Sequence, residues 1–364
     1  MLLSNPLHIL ICPLDWGLGH AARCVPVIHQ LIEAGHKVTL AGQGRSLTML
    51  SKEFPSLQCI QFPGFSPAYP RSGNMALHLF LLLPSFFSHI VREHRTIKSL
   101  ITQYEIDIII SDNRYGLWNK KIKSILILHQ VMIKTPGWLR FAEYPIYLFS
   151  RFLINRFDEC WIPDHAENPG LSGDLSHKYK LPGNARFIGP LSRFEKTEHA
   201  VGTSPLDNRI AVILSGPEPQ RSILEEIVKK QLSDLNYSAT IVSGKPESDN
   251  TEEVEKNIIM IPHLTTAGLS TLISASSLVI CRSGYTSIMD LNAIGAKALF
   301  VPTPGQTEQN YLARLHQKAG HTLFRKQEDL NLHTDIAEAL TYTGFTKEAV
   351  FSALKSTIAG LRKK

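Results

Sequence analysis

A histidine at the end of a glycine-containing turn is the first residue in the chain that could do chemistry. The stretch PLDWGLGHAAR covers residues 13–23, follows an apolar run and precedes a segment with helical character. His20 therefore lies at or near a helix N-terminus, where the positive helix end disfavours the charged imidazole. A neutral histidine in a cleft can accept a proton, so we predict His20 as a general base. Asp15 is an alternative base, or a partner that orients His20.

The same turn departs from a dinucleotide-binding fingerprint. That fingerprint needs a third glycine and an acidic residue at the end of the second strand. Here Ala22 holds the third position, and the second strand ends in VTLAGQGRS without an acid. We expect Gly17 and Gly19 to let the backbone approach a sugar diphosphate from across a cleft. A dinucleotide site and a purely structural tight turn are the alternatives.

A second group of polar residues lies in VICRSGYTSIMDLNAIGAKALFVPTPGQTEQNYLA, residues 279–313. Free amides and hydroxyls at a helix start suit a diphosphate, and carboxylates or side-chain amides suit the hydroxyls of ribose and sugar. Taken singly, such residues are helix caps or solvated loop residues. Together they predict one nucleotide-sugar site, with the diphosphate at Arg282, Ser283, Gly284, Tyr285 and Thr286, the ribose at Asp290, and the sugar at Glu308, Gln309 and Asn310.

Alternating strands and helices must position these residues. Short apolar runs and helical segments alternate through the first half of the chain, and the rhythm restarts at residue 209. This order predicts parallel sheets covered on both faces, whose ligands bind at the carboxyl ends of the strands. Glycine and proline at 182–206 mark the interdomain connection. We predict an α/β fold with an N-terminal domain at 1–190, a linker at 191–206, a C-terminal nucleotide-sugar domain at 207–345 and a final helix at 346–364.

Residues 279–313 resemble the nucleotide-sugar half of family 28 glycosyltransferases, of the peptidoglycan N-acetylglucosaminyltransferase type. The R-S-G turn that opens the family's diphosphate helix matches residues 282–284, and its donor-sugar glutamine matches Gln309. Asp290 falls where the family has the longer Glu as ribose ligand, and Asn310 falls where it has a second glutamine. The resemblance implies a GT-B fold, in which two Rossmann-like domains face each other across a cleft and the last helix crosses back to the first domain.

The rest of the chain resembles this family more weakly. The family's first glycine-rich turn ends in G-H, as Gly19 and His20 do here. The loop LSGPEPQR keeps only Ser215 and Gly216 of the second glycine-rich loop, and Arg193 in IGPLSRF matches a basic residue after the interdomain G-x-P pattern. The resemblance implies that Ser215, Gly216 and Arg193 contribute to diphosphate binding.

Composition narrows the class of protein. The 364 residues carry a formal net charge of +6 without a Lys/Arg block typical of a nucleic-acid arm, so we expect an anionic small-molecule partner and no nucleic acid. The five cysteines form no C-x-x-C pair, which is typical of a reducing compartment such as the cytoplasm. No D-x-D pair occurs, so we expect no metal and no cofactor, with a helix dipole and Arg side chains neutralising the departing UDP.

Two stretches combine apolar or aromatic residues with cations. Residues 75–100 are very apolar in their first half and basic in their second half. Residues 133–157 mix aromatic side chains such as Trp138 and Phe141 with cations such as Arg140 and Arg151. This combination suits a membrane headgroup interface. Ordinary core helices with a basic outer face are the alternative.

These observations predict an inverting glycosyltransferase that moves an N-acetylhexosamine from a UDP-sugar to a hydroxyl of a lipid-linked or glycan acceptor. We expect it in the cytoplasm, peripheral on the inner face of the membrane. Residues 111–116 and 128–130 follow strands of the first domain and are expected to line its cleft. Two alternatives stay open: a UDP-sugar 2-epimerase, which can share the two-domain fold, and a nucleotide-sugar-binding subunit of a two-protein transferase.

Overall fold

Two seven-stranded sheets organise the chain in a computed structural model, which describes residues 6–65, 82–194, 206–248, 252–255, 257–347 and 351–364. The first sheet has the strand order β3-β2-β1-β4-β5-β6-β7, and all of its pairs are parallel. Its strands are β1 His8–Pro13, β2 Lys37–Gly42, β3 Gln58–Gln61, β4 Ile108–Asp112, β5 Lys123–Ile127, β6 Glu159–Ile162 and β7 Ala185–Phe187. Its helices are α1 Leu18–Glu33, α2 Gly44–Glu53, α3 Leu83–Tyr104, α4 Glu143–Ile154 and α5 Asp174–His177, with a 3₁₀ segment at Gly137–Ala142.

The second sheet has the strand order β10-β11-β9-β8-β12-β13-β14, in which only the β10–β11 pair is antiparallel among the described strands. Its strands are β8 Leu206–Ile213, β9 Ser238–Val242, β10 Glu252–Glu255, β11 Ile258–Ile261, β12 Ser276–Cys281, β13 Ala298–Phe300 and β14 Thr322–Phe324. Its helices are α6 Gln220–Ser233, α7 Thr266–Ser274, α8 Tyr285–Ile294, α9 Thr307–Lys318 and α10 Leu332–Leu340, with a 3₁₀ turn at Gln327–Asp329. The chain ends with α11, Phe351–Ala359.

The central strands are apolar and buried on both faces. Every residue of β1 is buried, as expected for a parallel strand that helices cover from both sides. The structure therefore confirms the predicted α/β architecture of two Rossmann-like domains with parallel sheets.

Each sheet has a topological switch point, where the chain order reverses between two neighbouring strands. The switch lies between β1 and β4 in the first sheet and between β8 and β12 in the second. Open α/β sheets bind ligands in the crevice outside the carboxyl ends of such strands. The two predicted site segments follow β1 and β12, so the topology brings both to switch points.

Helix α1 begins at Leu18, inside residues 13–23, whereas the apolar pattern predicts a start near residue 23. Gly17 precedes it with φ of 117°, a backbone conformation that glycine adopts without strain. The early start places His20 in the first turn of the helix, as the sequence predicts.

The interdomain connection is shorter than the composition of residues 182–206 indicates. Strand β7 lies inside that stretch and pairs with β6, so the first sheet continues to Phe187. Residues 195–205 of the predicted linker lie outside the described part of the chain. At the other end of the chain, α11 packs against α1, and Lys363 pairs with Asp107 at 2.6 Å. The domain boundaries themselves stay a prediction.

Candidate functional site

His20 and Asp112 form a hydrogen-bonded pair at the switch point of the first sheet. Nδ1 of His20 lies 2.6 Å from Oδ1 of Asp112, whose side chain is fully buried. Nη2 of Arg23 also lies 2.9 Å from this Nδ1, but the closer carboxylate can only accept, so we assign the proton to Nδ1 and the lone pair to Nε2. Burial acts to raise the pKa of Asp112, but the Arg23 charge and the hydrogen bonds from His20 and Arg23 outweigh it and lower that pKa. The pair fixes His20 in the tautomer that a general base needs.

Arg23 holds the carboxylate of Asp112 from its buried side. It lies one turn after His20 on α1, donates from Nη2 to Oδ1 of Asp112 at 2.7 Å, and donates from Nε to Oδ2. This two-point contact fixes the plane of the carboxylate as well as its charge. Sequence reasoning assigned no role to Asp112 or Arg23, although Asp112 lies in the segment expected to line the cleft.

Asp15 bonds the start of α2. Its Oδ1 accepts from the backbone N–H of Ser46 at 3.1 Å, at the start of α2. A Cβ on Gly44 would lie 2.2 Å from Oδ2 of Asp15, so the carboxylate packs tightly on the first turn of that helix. The carboxylate that bonds His20 is that of Asp112, and a role of Asp15 as an orienting partner of His20 stays a prediction. A role of Asp15 as a second base stays a prediction.

His129 and Glu308 connect this pair to the second domain. Nδ1 of His129 lies 2.7 Å from Nη1 of Arg23, and its Nε2 lies 2.8 Å from Oε1 of Glu308 on α9. The ring of His129 also stacks on Tyr285, with centroids 4.6 Å apart and planes 2° from parallel. Burial lowers the pKa of His129, so the ring is neutral near pH 7. Glu308, predicted at the donor sugar, is therefore in contact with the first domain.

The start of α8 faces the start of α1 across the interdomain cleft. The hydroxyl of Thr286 donates to the carbonyl oxygen of Gly19 at 3.0 Å, and a Cβ on Gly19 would lie 3.2 Å from the same hydroxyl. A Cβ on Gly17 or Gly284 would meet no described atom within 4 Å, so the backbone is open at both turns. Two helix starts with free amides thus meet where the sequence predicts sugar and diphosphate.

Arg282 lies in the interior of the second domain. Its Nη1 donates to the carbonyls of Val301 and Pro302 at 2.9 and 3.2 Å, and its Nη2 donates to Gln220 and Gln327, each at 2.7 Å. The residue is 1% exposed, and burial lowers its pKa to about 10. In this arrangement the guanidinium ties together the loops after β12 and β13. Direct contact of Arg282 with a diphosphate stays a prediction.

Asp290 holds the segment that leads out of the first domain. Its carboxylate accepts from the Ser192 hydroxyl at 2.8 Å and from Nε of Arg193 at 3.1 Å. Burial raises the pKa of Asp290, against the opposing effect of Arg193. The structure thus pairs two predicted donor ligands with each other, and ribose and diphosphate contacts of Asp290 and Arg193 stay predictions.

The remaining predicted donor residues surround the strand ends of the second sheet. Ser283 donates to the carbonyl of Gln309 at 2.8 Å, and Oε1 of Gln309 accepts from the amide of Thr303 at 2.7 Å. Asn310 donates to the carbonyl of Gln306 at 2.9 Å. The loop after β8 contains Ser215 and Gly216, and Gly216 has φ of 100°. The hydroxyl of Tyr285 donates to the carbonyl of Pro163 in the first domain.

A surface on the first domain combines exposed aromatic and cationic side chains. On α3, Leu83, Phe87 and Val91 lie four residues apart and are exposed, while Trp138 and Phe141 on the 3₁₀ segment are 68% and 76% exposed. Further exposed members on α4 are Tyr144, Leu148, Phe149 and Phe152. Phe87 and Phe149 join the two helices, with ring centroids 5.7 Å apart. We call these residues the aromatic surface; residues 75–81 of the predicted stretch lie outside the described residues.

Two kinds of feature are absent from the described residues. Among the helices that the structure describes, none is long and apolar enough to cross a membrane. Within the same ranges, no group of three or more His, Cys, Asp or Glu side chains is arranged to hold a metal ion.

Comparison with known proteins connects this geometry to an enzyme class. Residues 218–357 match the model of the glycosyltransferase family 28 C-terminal domain. An uncharacterized glycosyltransferase of Methanosarcina acetivorans is 24% identical over 330 residues, which cover 86% of this chain and 84% of that protein. The UDP-N-acetylglucosamine--N-acetylmuramyl-(pentapeptide) pyrophosphoryl-undecaprenol N-acetylglucosamine transferase of Lactobacillus johnsonii is 22% identical over 86% of this chain and 84% of its own length.

Solved glycosyltransferase structures share the fold over nearly the whole chain. The spinosyn rhamnosyltransferase SpnG in complex with thymidine diphosphate has a TM-score of 0.60 at 14% identity, over 97% of this chain and 95% of that one. MurG from Acinetobacter baumannii has a TM-score of 0.52 at 12% identity, over 97% of this chain and 98% of that one. At such identities the similarity concerns the fold alone.

Proposed function

We propose that this chain is an inverting transferase of glycosyltransferase family 28 in which His20 is the general base, since residues 218–357 match the C-terminal domain of that family and the chain has the GT-B fold. The proposal rests chiefly on one observation. His20, which is paired with Asp112, lies on the first turn of α1. This turn meets the start of α8 across the cleft, where the hydroxyl of Thr286 donates to the carbonyl oxygen of Gly19. A base oriented by a buried carboxylate, next to a helix start that suits an anionic leaving group, is what displacement at a sugar carbon needs.

The reaction is a single in-line displacement. Nε2 of His20 accepts the proton of an acceptor hydroxyl while the oxygen forms a bond to the anomeric carbon of the donor. The bond from that carbon to the diphosphate oxygen breaks on the opposite side, so the anomeric configuration inverts. The negative charge left on the diphosphate is stabilised by the backbone amides at the start of α8. Asp112 stabilises the imidazolium that forms on His20.

The proposed donor is a UDP-sugar, with an N-acetylhexosamine as its sugar. Two facts support it: Gln309 and Asn310 stand where family 28 has its sugar-binding glutamines, and the Lactobacillus relative carries UDP-N-acetylglucosamine in its name. Ser215, Gly216 and residues 283–286 supply hydroxyls and open backbone around the diphosphate. Arg282 acts by holding the loops after β12 and β13 in place.

The proposed acceptor is lipid-linked and reached from a membrane surface. The aromatic surface on α3, the 3₁₀ segment and α4 supports this proposal, because large exposed aromatics next to Arg92, Arg140 and Arg151 suit an anionic headgroup region. The surface belongs to the first domain, which also supplies the base. A lipid-anchored acceptor would therefore be bound by the domain that carries His20.

A panel of nucleotide sugars tests the proposal. We expect purified protein to release UDP slowly from one UDP-N-acetylhexosamine and faster when bacterial membrane lipid is added as acceptor. His20→Ala should lower the rate with acceptor by about 10²–10⁴-fold. The exposed Lys326→Ala serves as a control, since its ammonium pairs with Glu328 at the surface of the second domain.

The other results would contradict the proposal in distinguishable ways. Free epimerised sugar without acceptor would identify a 2-epimerase. UDP binding without turnover on any donor would favour the binding subunit of a two-protein transferase. Normal turnover of His20→Ala would remove His20 from the role of base.

A further inference from the structure

A continuous set of side-chain contacts runs from the second domain to the imidazole of His20. Glu308 on α9 contacts Nε2 of His129 at 2.8 Å, and Nδ1 of His129 contacts Arg23 at 2.7 Å. Arg23 holds both oxygens of Asp112, and Asp112 holds Nδ1 of His20. Only Glu308 belongs to the second domain. All but the partly exposed Glu308 and His20 are buried.

The hydrogen bonds of His129 can run in only one direction. A guanidinium has no acceptor, so Nδ1 of His129 must accept from Nη1 of Arg23. The ring is neutral, and its single proton therefore lies on Nε2 and points to Oε1 of Glu308. The contact with His129 and, after it, the Arg23 charge lower the pKa of Glu308 against the effect of burial, so its carboxylate is ionised.

The charges of the set are unbalanced while His20 is neutral. Asp112 and Glu308 are negative, Arg23 is positive, and the two imidazoles are neutral, which leaves one net negative charge. The groups that face His129 are Arg23 and His20 from α1, Glu308 from α9 and the Tyr285 ring from α8. When His20 accepts a proton, the set becomes neutral. Glu308 therefore favours the protonated form of the base from across the domain interface.

We propose that Glu308 is a positioning residue for catalysis: it reaches from the second domain and, through His129 and Arg23, stabilises the imidazolium that forms on His20. The base then has its full proton affinity only while the two domains are together. This inference rests on the proposed role of His20 as base. It replaces the sequence-based assignment of Glu308 to the donor sugar.

The first test measures the pKa of His20 without any substrate. In protein labelled with ¹³C-histidine, the His20 resonance is assigned by its loss in His20→Gln and followed through a pH titration. Glu308→Gln keeps a side-chain oxygen that can accept from His129 but removes the charge, so we expect the pKa of His20 to fall by about half to one unit. The exposed Glu328→Gln removes the same charge from the second domain, at a residue that pairs with Lys326, and should leave that pKa unchanged.

The second test uses turnover. We expect Glu308→Gln to lower kcat by about three- to tenfold with an unchanged KM for the donor, and to move the acidic limb of the pH–rate profile to lower pH. His129→Ala removes the ring that links Glu308 to Arg23, so its effect and that of Glu308→Gln should be non-additive in the double variant.

Failure of the inference is separable from failure of the proposed function. An unchanged His20 pKa in Glu308→Gln, or a raised donor KM with normal kcat, would overturn the positioning role and return Glu308 to the donor sugar. Absence of turnover in the unmodified protein would contradict the proposed function instead, and the titration would still test the electrostatic connection.

Discussion

Asp112 links the chemistry of the site to the stability of the first domain. It is fully buried, it orients His20, and it is the carboxylate opposite the buried guanidinium of Arg23. The two variants His20→Ala and Asp112→Asn therefore separate catalysis from folding. His20→Ala removes the proposed base alone. Asp112→Asn removes the carboxylate that orients it and leaves the buried guanidinium of Arg23 without its counter-charge.

We expect Asp112→Asn to lose about 10²–10⁴-fold in turnover, because the carboxylate that orients the base and stabilises its cation is gone. We also expect it to lose about 3–5 kcal/mol in free energy of unfolding, since Arg23 stays buried without its counter-charge. His20→Ala should lose similar turnover but less than about 1 kcal/mol, as the imidazole is partly exposed. UDP release and urea unfolding measure the two quantities. Equal stability of both variants would contradict the role given to Arg23.

The position of His20 at the start of a helix could be predicted from local sequence, but the carboxylate that bonds it could not. A histidine directly after a glycine turn and before a helix has a position that the chain itself determines. Asp112 lies 92 residues away, and its proximity depends on β4 pairing directly with β1. The carboxyl end of β4 could be predicted to line the cleft, yet the strand order that turns Asp112 toward His20 follows from tertiary packing.

Among the elements, the alternation of apolar runs predicted both sheets but not every edge strand. The buried central strands, such as β1 and β12, consist of apolar residues in continuous runs and stand out in the sequence. Edge strands β7 and β14 have only three residues each, and β7 lies within a stretch rich in glycine and proline. Short edge strands depend on the neighbour that pairs with them, so the local pattern gives little indication of them.

The aromatic surface on α3, the 3₁₀ segment and α4 predicts binding to membranes, which can be tested by mutation. Trp138 and Phe141 are largely exposed, so their loss removes surface without opening a cavity in the core. We expect Trp138→Ala/Phe141→Ala to lower binding to vesicles containing phosphatidylglycerol by at least about tenfold in a sedimentation assay. The free energy of unfolding should change by less than about 1 kcal/mol.

The control for this experiment lies on the other domain. Ile223→Ala/Ile259→Ala removes two exposed apolar side chains from the second domain and should leave vesicle binding unchanged. Binding of the unmodified protein should fall on neutral phosphatidylcholine and at high salt, because the cations near the aromatic surface contribute. Equal binding of both double variants would contradict a membrane contact through this surface.

At the scale of the whole molecule, the two domains are joined by contacts that differ in chemistry. Thr286 with Gly19 and Tyr285 with Pro163 are neutral hydrogen bonds, while His129 with Glu308 involves a charge. Apolar residues of α1 and α8 belong to one continuous buried cluster. The sequence predicts that two domains face a cleft, but which side chains meet across it depends on how the domains are packed.

His316 makes this interface sensitive to acid. It is 2% exposed on α9, donates from Nε2 to the carbonyl of Leu171 in the first domain at 3.0 Å, and packs against Phe345. Burial lowers its pKa from 6.5 to about 4, and the nearby His321 acts in the same direction. The folded state thus holds the neutral ring, while the unfolded chain binds a proton below about pH 6.5.

The pH dependence of stability follows from this difference between the folded and unfolded pKa of His316. The stability that His316 contributes is complete above the unfolded pKa and is lost as the pH falls toward about 4. Between pH 7 and pH 5 we expect the group to remove about 2 kcal/mol from the free energy of unfolding. His316→Gln keeps a donor for the carbonyl of Leu171 but has no proton to bind. In urea unfolding at the two pH values, the unmodified protein should therefore lose about 2 kcal/mol more than His316→Gln, and equal losses would show that His316 does not titrate in this range.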